Sequence, residues 1–305
     1  MKRKIMILTI AFLSSVLMCA NVFAAASGRC GDSITWTLDD SGNLTLSGSG
    51  EMWNYGIVTS PFKDYGIKTV TIGDGITSIG DYAFYSCRGL TELTLPNSVT
   101  SIGWYAFQGC TGLTELTLPN SVTSIGGCAF EGCNGLTELT LPNTLERIVA
   151  SAFRGCSGLT ELTLPSSVTR IGKNAFSDCS GLEKIISLAE IPPVCGSGGV
   201  FYGVNKTNCE LIVPVISVIA YKLAEVWNEF SNISGFSGVE DTVADGNTIR
   251  VIGNQIEISG YFTSVEVYGV NGTLIYKGKD NVVTVPSAGI YLVHMAGKTR
   301  KIVVE

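Results

Sequence analysis

The stretch Leu93–Glu115 reads LTLPNSVTSIGWYAFQGCTGLTE, and close copies of these 23 residues follow it directly along the chain. The full set of copies is Val70–Glu92, which is looser, Leu93–Glu115, Leu116–Glu138, Leu139–Glu161 and Leu162–Lys184. A cysteine and an alanine–phenylalanine pair recur at the same place in every copy. A fixed period of roughly 20–30 residues indicates a solenoid, in which each copy forms one coil stacked on the previous coil.

Apolar residues inside each copy predict which side chains face the interior. In one copy they are Leu113, Leu116, Leu118, Val122, Ile125, Ala129, Phe130 and Cys133. The spacing L-x-x-L-x-L matches the strand segment of a leucine-rich repeat. Because Pro119 has no N–H to donate, we expect that strand to end near Leu118. A second short extended stretch is predicted over Val122–Ile125. A turn is predicted over Gly126–Glu131, and a helical turn is one conformation that it could take.

The segments beside the copies are expected to cover the two ends of the solenoid. Ile34–Leu38 and Leu44–Leu46 alternate in polarity around a turn, which predicts a hairpin as the N-terminal cap. After the last copy, Glu210–Pro214 reads as a final strand, and Phe201 resembles the repeated phenylalanine. The spacing of apolar residues over Ser217–Phe230 then predicts an amphipathic helix as the C-terminal cap, the alternative being a helix that binds a partner.

The repeat LTLPNSVTSIGxxAFxGCxGLTE resembles the BspA-like, Treponema-type leucine-rich repeats of bacterial surface proteins. The stretch Cys30-Gly-Asp32 with Thr35-Trp-Thr-Leu38 resembles the usual leader of such arrays, and the resemblance covers Ser27 to about Ile233. The chain lacks the asparagine that follows the strand in ordinary leucine-rich repeats. It also has Val149 where the other copies have glycine, so we expect that coil to turn differently.

The last part of the chain predicts a separate β domain. Residues 234–247 read as a linker, and residues 248–305 show six or seven short alternating strands, with Asn271-Gly272 as a hairpin signal. The terminal GIYLVHMAGKTRKIVVE resembles the C-terminal sorting domain of the type IX secretion system. That resemblance implies passage across an outer membrane, removal by a sortase and attachment to the cell surface. A plain anchoring or accessory β domain is the alternative.

The start of the chain predicts export. Lys2, Arg3 and Lys4 precede the apolar stretch Ile5–Val16, and small residues follow, with Ala24 at a suitable cleavage position. A membrane anchor and a lipid-modified Cys19 are the alternatives. The predicted organisation is a signal peptide at 1–24, an N-terminal β cap at 27–67, a solenoid with its capping helix at 68–233, a linker at 234–247 and a β-sandwich at 248–305.

Of the ten cysteines, all but Cys19 follow the predicted cleavage site, and five recur with the 23-residue period. The five are Cys87, Cys110, Cys133, Cys156 and Cys179. We interpret them as buried thiols that fill one small niche per coil, although a disulfide between neighbours is not sterically excluded. Cys195 and Cys209 are better disulfide candidates. No metal site or cofactor is predicted, since the chain has no CxxC pair and only one histidine.

Outward residues of the repeated strand form the candidate binding face. The candidates are Glu92, Thr94, Glu115, Thr117, Glu138, Thr140, Glu161 and Thr163, together with Trp104. Stacked glutamates repel one another, so their arrangement brings no stability. They form either a polar face for a cationic or glycan surface, or a solvated edge that was copied with the repeat. Trp104 is either a contact residue or an accident of sequence.

Composition narrows the class of function. The 305 residues have a net charge of −6 and no basic run after the start, which argues against nucleic acid as a partner. Catalysis finds little support because the single histidine, His294, lies in the sorting-like domain, so no catalytic residue is predicted.

The leading hypothesis is an exported cell-surface protein that binds host protein or glycan through the solenoid, as the resemblance to adhesion proteins also implies. A structural envelope or spacer protein without a specific ligand is the alternative. A glycan-processing accessory module is a third hypothesis.

Overall fold

The chain winds into a parallel β-solenoid that is followed by a small antiparallel β domain. The computed structural model describes residues 26–62, 65–236, 248–252, 255–259, 264–269, 273–286, 289–295 and 298–304. The predicted signal peptide and most of the predicted linker lie outside the described residues.

The N-terminal cap is the predicted hairpin with one additional strand. The strands are β1 (Ala26–Gly31), β2 (Ile34–Leu38) and β3 (Asn43–Gly48), and each pairs antiparallel with the next. The turn before β3 is closed by Asp39, whose carboxylate accepts the backbone N–H groups of Ser41 and Asn43 at 2.9 Å. The third strand also pairs in parallel with the first repeat strand, so the hairpin leads directly into the solenoid.

Sheet A contains the L-x-x-L-x-L strands, one from each coil. After β3 its members are β5 (Thr69–Ile72), β7 (Glu92–Thr94), β9 (Glu115–Thr117), β11 (Glu138–Thr140), β13 (Glu161–Leu164), β15 (Lys184–Ser187), β17 (Glu210–Pro214) and β18 (Asn232–Phe236). Paired neighbours from β3 onward are parallel and join equivalent residues, such as Glu115 and Glu138, and the ladder is interrupted between β7 and β9 and between β11 and β13. The strand β9 ends at Thr117, close to the end predicted from Pro119. We number the coils 1 to 8 by their sheet A strands from β3 to β17.

Sheet B contains the second, shorter extended stretch of each coil. Its members are β4 (Gly50–Glu51), β6 (Ile76–Ile79), β8 (Ser101–Ile102), β10 (Ser124–Ile125), β12 (Arg147–Ile148), β14 (Arg170–Ile171) and β16 (Val194–Cys195). All its pairs are parallel, and the sheet is interrupted between β10 and β12. The predicted stretch Val122–Ile125 therefore exists, but only its last two residues form the strand.

The interruption lies at Val149, where the repeat otherwise has glycine. A Cβ on Gly126 would lie 2.5 Å from the carbonyl carbon of Gly103, and one on Gly172 would lie 2.7 Å from that of Val149. A glycine at this position therefore lets each coil approach the backbone of the coil before it. Because the side chain of Val149 needs that space, the ladder between β10 and β12 opens.

Side C, as we call the third side of each coil, runs from this position to the repeated cysteine, for example over residues 80–87 and 103–110. The predicted turn over Gly126–Glu131 is confirmed, since the Glu131 N–H donates to the carbonyl of Cys128 at 3.2 Å, but it does not continue as a helix. These turns alternate with a ladder between coils, in which the N–H groups of Tyr82, Phe84 and Ser86 donate to carbonyls of the next coil at 2.7–2.9 Å. Two positions per coil adopt the left-handed conformation. The first has φ of 55–57° and is occupied by Tyr82, Tyr105, Cys128, Ser151 and Asn174, and the second has φ of 58–73° and is occupied by Ser86, Gly109, Gly132, Gly155 and Asp178.

The interior contains the predicted leucine, phenylalanine and cysteine columns. All eight interior residues predicted from Leu113 to Cys133 are buried. The phenylalanine rings form one continuous stack with centroid separations of 4.9–5.8 Å and interplanar angles of 1–9°. The stack consists of Phe62, Phe84, Phe107, Phe130, Phe153, Phe176 and Phe201.

Aromatic side chains of the two caps close the ends of this stack. At the N-terminal end, Trp36 meets Phe62 edge-on, with centroids 5.5 Å apart at 78°. At the C-terminal end, Phe230 meets Phe201 edge-on at 5.4 Å and 80°, and Trp227 packs against the same ring at 5.4 Å. Edge-to-face contact suits a terminal ring because the outer face of that ring has no further coil to stack on.

The C-terminal cap is helical, but it is not the single helix predicted over Ser217–Phe230. A 3₁₀ turn at Val215–Ser217 leads into α1 (Val218–Leu223), and a second 3₁₀ turn covers Trp227–Glu229. Val226, between them, has a φ of 72°.

Tertiary contacts explain why the cap is not one continuous helix. The Tyr221 hydroxyl donates to the carbonyl of Ala189 at 2.9 Å, and the Trp227 indole N–H donates to that of Pro193 at 2.9 Å. Both large side chains reach into coil 7 only because the chain turns between them. The strand β18 then continues sheet A to Phe236, inside the predicted linker.

The described residues of the C-terminal domain form seven strands in two antiparallel sheets. Its strands are β19 (Thr248–Ile252), β20 (Gln255–Ser259), β21 (Val265–Gly269), β22 (Leu274–Gly278), β23 (Val282–Thr284), β24 (Gly289–Met295) and β25 (Lys298–Val304). One sheet has the order β19-β20-β23 and the other β22-β21-β24-β25. Ten buried residues, among them Ile256, Val267 and Val293, form one core between these sheets. The strands β21 and β22 pair antiparallel, and the predicted turn residues Asn271-Gly272 lie outside the described residues.

Candidate interaction face

The outward side of sheet A brings the predicted glutamates and threonines together in two parallel columns. Register pairs Glu115 with Glu138 and Thr117 with Thr140. The strands β7 and β13 lie beside these two strands without ladder pairing, and they carry Glu92, Thr94, Glu161 and Thr163 at the equivalent repeat positions. Of the eight residues predicted for these columns, all are exposed except Thr163, which is half-buried. Between the columns, the leucines of β7, β9, β11 and β13 turn inward, so the alternation expected of a strand is present in each coil.

The threonine column extends beyond the predicted residues. Register continues the threonine column back to Thr45 and Thr71 in coils 1 and 2. In the other direction it ends at Ile186 and Ile212, two buried isoleucines that form a small cluster with the partly buried Leu188. The sequence does contain a signal for this change, since β15 reads KIIS where the repeat has ELTL.

The glutamate column is neutralised at one end. Lys184 of β15 pairs with Glu161 at 2.6 Å. Among the residues that the structure describes, Glu92, Glu115 and Glu138 have no such ion pair. Neighbouring strands lie about 4.8 Å apart, a separation at which two like charges repel by roughly 1 kcal/mol in water. These three carboxylates therefore form an acidic strip in coils 3 to 5 that lacks an intramolecular counter-charge within the described part of the chain.

The outward threonines of sheet B have a structural role. The Thr100 hydroxyl donates to the carbonyl of Thr77 at 3.2 Å, and Thr169 bonds Glu146 in the same way at 3.2 Å. These side chains join one coil to the previous coil. The threonine column of sheet A is therefore the better candidate for contacts with another molecule.

Trp104 does not belong to the sheet A face. It follows β8 and lies on side C, where 56% of its surface is exposed. The candidate residues therefore fall on two different sides of the solenoid, eight on sheet A and one on side C. Linear spacing could not separate these sides, because every position of a repeat recurs with the same period.

The repeated cysteines are interior residues, as predicted. The thiol of Cys133 donates to the carbonyl of Phe107 at 3.3 Å, and that of Cys179 bonds Phe153 at 3.2 Å. Burial raises the pKa of Cys133 to about 12, so its thiol stays protonated at neutral pH. Contrary to the expectation of a disulfide, Cys195 and Cys209 are free. Within the described residues, no group of three or more Cys, His, Asp or Glu residues is arranged to hold a metal ion.

Stacked parallel coils with interior columns of leucine, phenylalanine and cysteine define a β-solenoid of the leucine-rich-repeat class. Residues 56–186 match the family model described as BspA type leucine rich repeat region, in six copies. The repeats of this chain are therefore similar to the BspA-type family over residues 56–186, in agreement with the resemblance noted in the sequence. Comparison with curated proteins gives no match.

Solved structures of bacterial leucine-rich-repeat proteins are similar to this chain. The leucine-rich-repeat protein of T. pallidum is 25% identical, with a TM-score of 0.46, over 66% of this chain and 93% of that chain. A leucine-rich cell surface protein from Faecalibacterium prausnitzii is 23% identical, with a TM-score of 0.42, over 63% of this chain and 72% of that chain. A leucine-rich-repeat protein from Eubacterium ventriosum is 25% identical, with a TM-score of 0.33, over 63% of this chain and 67% of that chain. In the described part of the present chain, no helix is both long and apolar enough to cross a membrane.

Proposed function

We propose that the protein is an exported, surface-displayed interaction protein whose sheet A face binds the basic surface of another protein. The observation that supports this most directly is the acidic strip of Glu92, Glu115 and Glu138. A strip of like charge without an intramolecular counter-charge is a cost to the folded chain that an external cation removes. Exposed threonine hydroxyls beside it add hydrogen-bonding groups on a regular, extended surface.

The charge pattern also determines which partner is favoured. A cationic protein surface is attracted to the acidic strip over about a Debye length and is oriented by it before contact. The buried side of the face, formed by leucines held in the coil ladder, leaves little freedom for the backbone. Binding there would therefore cost little ordering entropy on this side of the interface.

Neutralisation of the acidic strip gives a direct test on the full chain. Glu92→Gln, Glu115→Gln and Glu138→Gln together should weaken binding to immobilised basic extracellular-matrix proteins by about tenfold or more, equivalent to about 1.4 kcal/mol. A matched control replaces three exposed acids outside the strip, as Glu51→Gln, Asp74→Asn and Glu190→Gln, with the same change in net charge. The control should bind as the unaltered chain does. Added salt should weaken the binding of the unaltered chain and of the control, and it should have little effect on the residual binding of the strip variant.

Equal loss in both triple variants would attribute binding to net charge alone, and unchanged binding in the first variant would refute the proposed face. In that case the alternative of a structural envelope or spacer protein without a specific ligand would be favoured. The same comparison on surfaces coated with acidic matrix proteins should show no binding above background.

We also propose that the C-terminal β domain directs the protein to the cell surface through type IX secretion, as the resemblance of its last strands implies. Support comes from the two-sheet domain formed by residues after the predicted linker. In a bacterium with that secretion system, the full chain should reach the surface and be labelled by an antibody on intact cells. A chain ending at residue 247 should remain inside, and surface labelling of the shortened chain would contradict the proposal.

A further inference from the structure

Trp104 has a fixed position on side C that the neighbouring coil accommodates. The benzene part of its indole lies on Gly127, where a Cβ would be 2.6 Å from Cζ3 and 2.8 Å from Cε3. Its backbone N–H donates to the Asp81 carboxylate at 2.7 Å. Equivalent positions in the other repeats have Asp81, Ala150 and Lys173, so the indole and the glycine beneath it occur together at one place only. The result is a large, exposed ring that is held against the backbone.

Three tyrosines extend this ring into an aromatic row. The ring centroids of Tyr105 and Trp104 are 6.4 Å apart. Tyr105 also stacks on Tyr82, with centroids 4.7 Å apart and an interplanar angle of 16°, and the centroids of Tyr82 and Tyr85 are 5.8 Å apart. Tyr82 and Tyr105 occupy the first left-handed position of their coils, which is uncommon for a bulky residue. The same position holds smaller side chains in the next three coils: Cys128, Ser151 and Asn174. The fold therefore tolerates small residues here, and the aromatic pair is confined to coil 3, which contains Trp104, and coil 2 before it.

A row of planar polar side chains continues along side C from the aromatic row. The Gln108 amide donates to Glu131 at 2.8 Å, Arg154 pairs with Glu131 at 3.6 Å, and Arg154 also pairs with Asp178 at 3.2 Å. These contacts fix an amide, a carboxylate and a guanidinium in one line across coils 3 to 6. Because Trp104 and Gln108 are four residues apart, an extended chain separates them by at most about 14 Å.

We propose that side C is a binding site for a neutral oligosaccharide, stacked on Trp104 and hydrogen-bonded by Gln108, Glu131 and Arg154. Sugar rings combine an apolar C–H face, which packs on an aromatic ring, with hydroxyls around the rim, which pair with planar amide, carboxylate and guanidinium groups. The side chains that would bind are already ordered by their mutual contacts, so little entropy is lost on binding.

Other ligand classes fit these residues less well. Phosphates of a nucleic acid would meet the carboxylates of Glu131 and Asp178, and the chain has a net charge of −6. A quaternary ammonium ion is held where aromatic faces surround it, whereas these rings lie in a row and two of them are stacked on each other. A lipid tail would remove water from the partly exposed groups of Gln108, Glu131 and Arg154 and offer them no hydrogen bonds in return. This proposal concerns a different side of the solenoid from sheet A and does not depend on it.

Native gels of the full chain that contain mannan, xylan, β-1,3-glucan or arabinogalactan test the proposal. At least one of these neutral polysaccharides should retard the protein, and Trp104→Ala should weaken that interaction by tenfold or more. Trp53→Ala is the matched control, since Trp53 is also an exposed tryptophan, 42% exposed, but lies in coil 1 with its indole N–H bonded to Asp32. Gln108→Ala should weaken binding less than Trp104→Ala, and Trp104→Phe should preserve part of it.

Each result of the gel experiment either supports the oligosaccharide site or overturns it. Retardation that is lost in Trp104→Ala and kept in Trp53→Ala supports the site. Retardation by none of the four polysaccharides, or equal retardation of both variants, overturns it, and displacement by choline would assign the rings to a cation instead. The triple glutamine variant of the sheet A strip should keep full polysaccharide binding, so failure of one proposal is distinguishable from failure of the other. Circular dichroism of Trp104→Ala should match the unaltered chain because the side chain is exposed.

Discussion

Replacing Phe130 by alanine would remove one ring from the middle of the phenylalanine stack. Phe130 is fully buried and lies between Phe107 at 5.2 Å and Phe153 at 5.5 Å, nearly parallel to both. A buried Phe→Ala change costs about 3–5 kcal/mol, and the value depends on how far the surroundings collapse into the cavity. Here the hydrogen-bond ladders of the coils hold the neighbouring rings at the coil spacing, so collapse is limited. We therefore expect a loss near 5 kcal/mol, a large part of the ~5–15 kcal/mol that stabilises a typical domain.

Urea unfolding followed by circular dichroism and tryptophan fluorescence measures this loss. Trp36 and Trp227 are buried at opposite ends of the solenoid, so a background with Trp53→Phe and Trp104→Phe makes emission report on the two caps. Because stability in a solenoid depends on contacts between nearest neighbours, the alanine variant should also unfold in two steps as the halves lose their coupling. Thr117→Ala, at an exposed position of the same coil, should change stability by less than about 0.5 kcal/mol. A loss below about 2 kcal/mol for Phe130→Ala, or one equal to that of the control, would refute the role given to the stack.

Two further expectations concern buried polar groups. The pKa of Cys133 is about 12 and that of Cys179 is about 12, both raised by burial from the usual value near 9, so these thiols ionise more easily in the unfolded chain. Their contribution to stability is present below pH 9 and is lost as pH rises from 9 towards 12, by up to about 1.4 kcal/mol per pH unit and thiol. Urea midpoints measured from pH 8 to 11 should fall, less steeply in Cys133→Ala, and a flat profile would contradict the burial argument. Separately, the Tyr221 hydroxyl bonds Ser187 at 2.7 Å and the Ala189 carbonyl at 2.9 Å inside the C-terminal cap. Tyr221→Phe should lower thermal stability by about 1–3 kcal/mol, since buried partners lose their bond, whereas Tyr202→Phe, at an exposed tyrosine, should leave the melting temperature unchanged.

Much of the fold could be predicted because a repeat multiplies weak signals. A single L-x-x-L-x-L is ambiguous, but five copies in register identify which leucines, phenylalanines and cysteines are interior, and the eight interior residues predicted between Leu113 and Cys133 are all buried. The hairpin at the N-terminus and the antiparallel strands at the C-terminus were predictable from alternation and turn residues. The additional strands β1, β16 and β18 were missed because each forms on a neighbouring strand, and its own residues show little alternation.

The candidate site was predictable in part. Alternation along the strand identified the glutamate and threonine columns of sheet A, but period alone could not exclude Trp104 from that face or assign it to side C. The isoleucines that end the threonine column were overlooked because they lie after the last regular copy, where the period had already been lost.

The sequence by itself determined the coil, its period and the residues that face inward, since these follow from burying the same apolar positions once in every 23 residues. Tertiary structure decided where the chain departs from that regularity. The cap helix breaks at Val226 so that Tyr221 and Trp227 can both bond to coil 7, and sheet B opens where Val149 needs space. It also decided that Trp104 rests on Gly127, a contact between residues 23 positions apart. Such contacts depend on how one coil packs on the next. Local sequence preference reports only on residues that are near one another in the chain, so it carries no information about a contact between residues 23 positions apart.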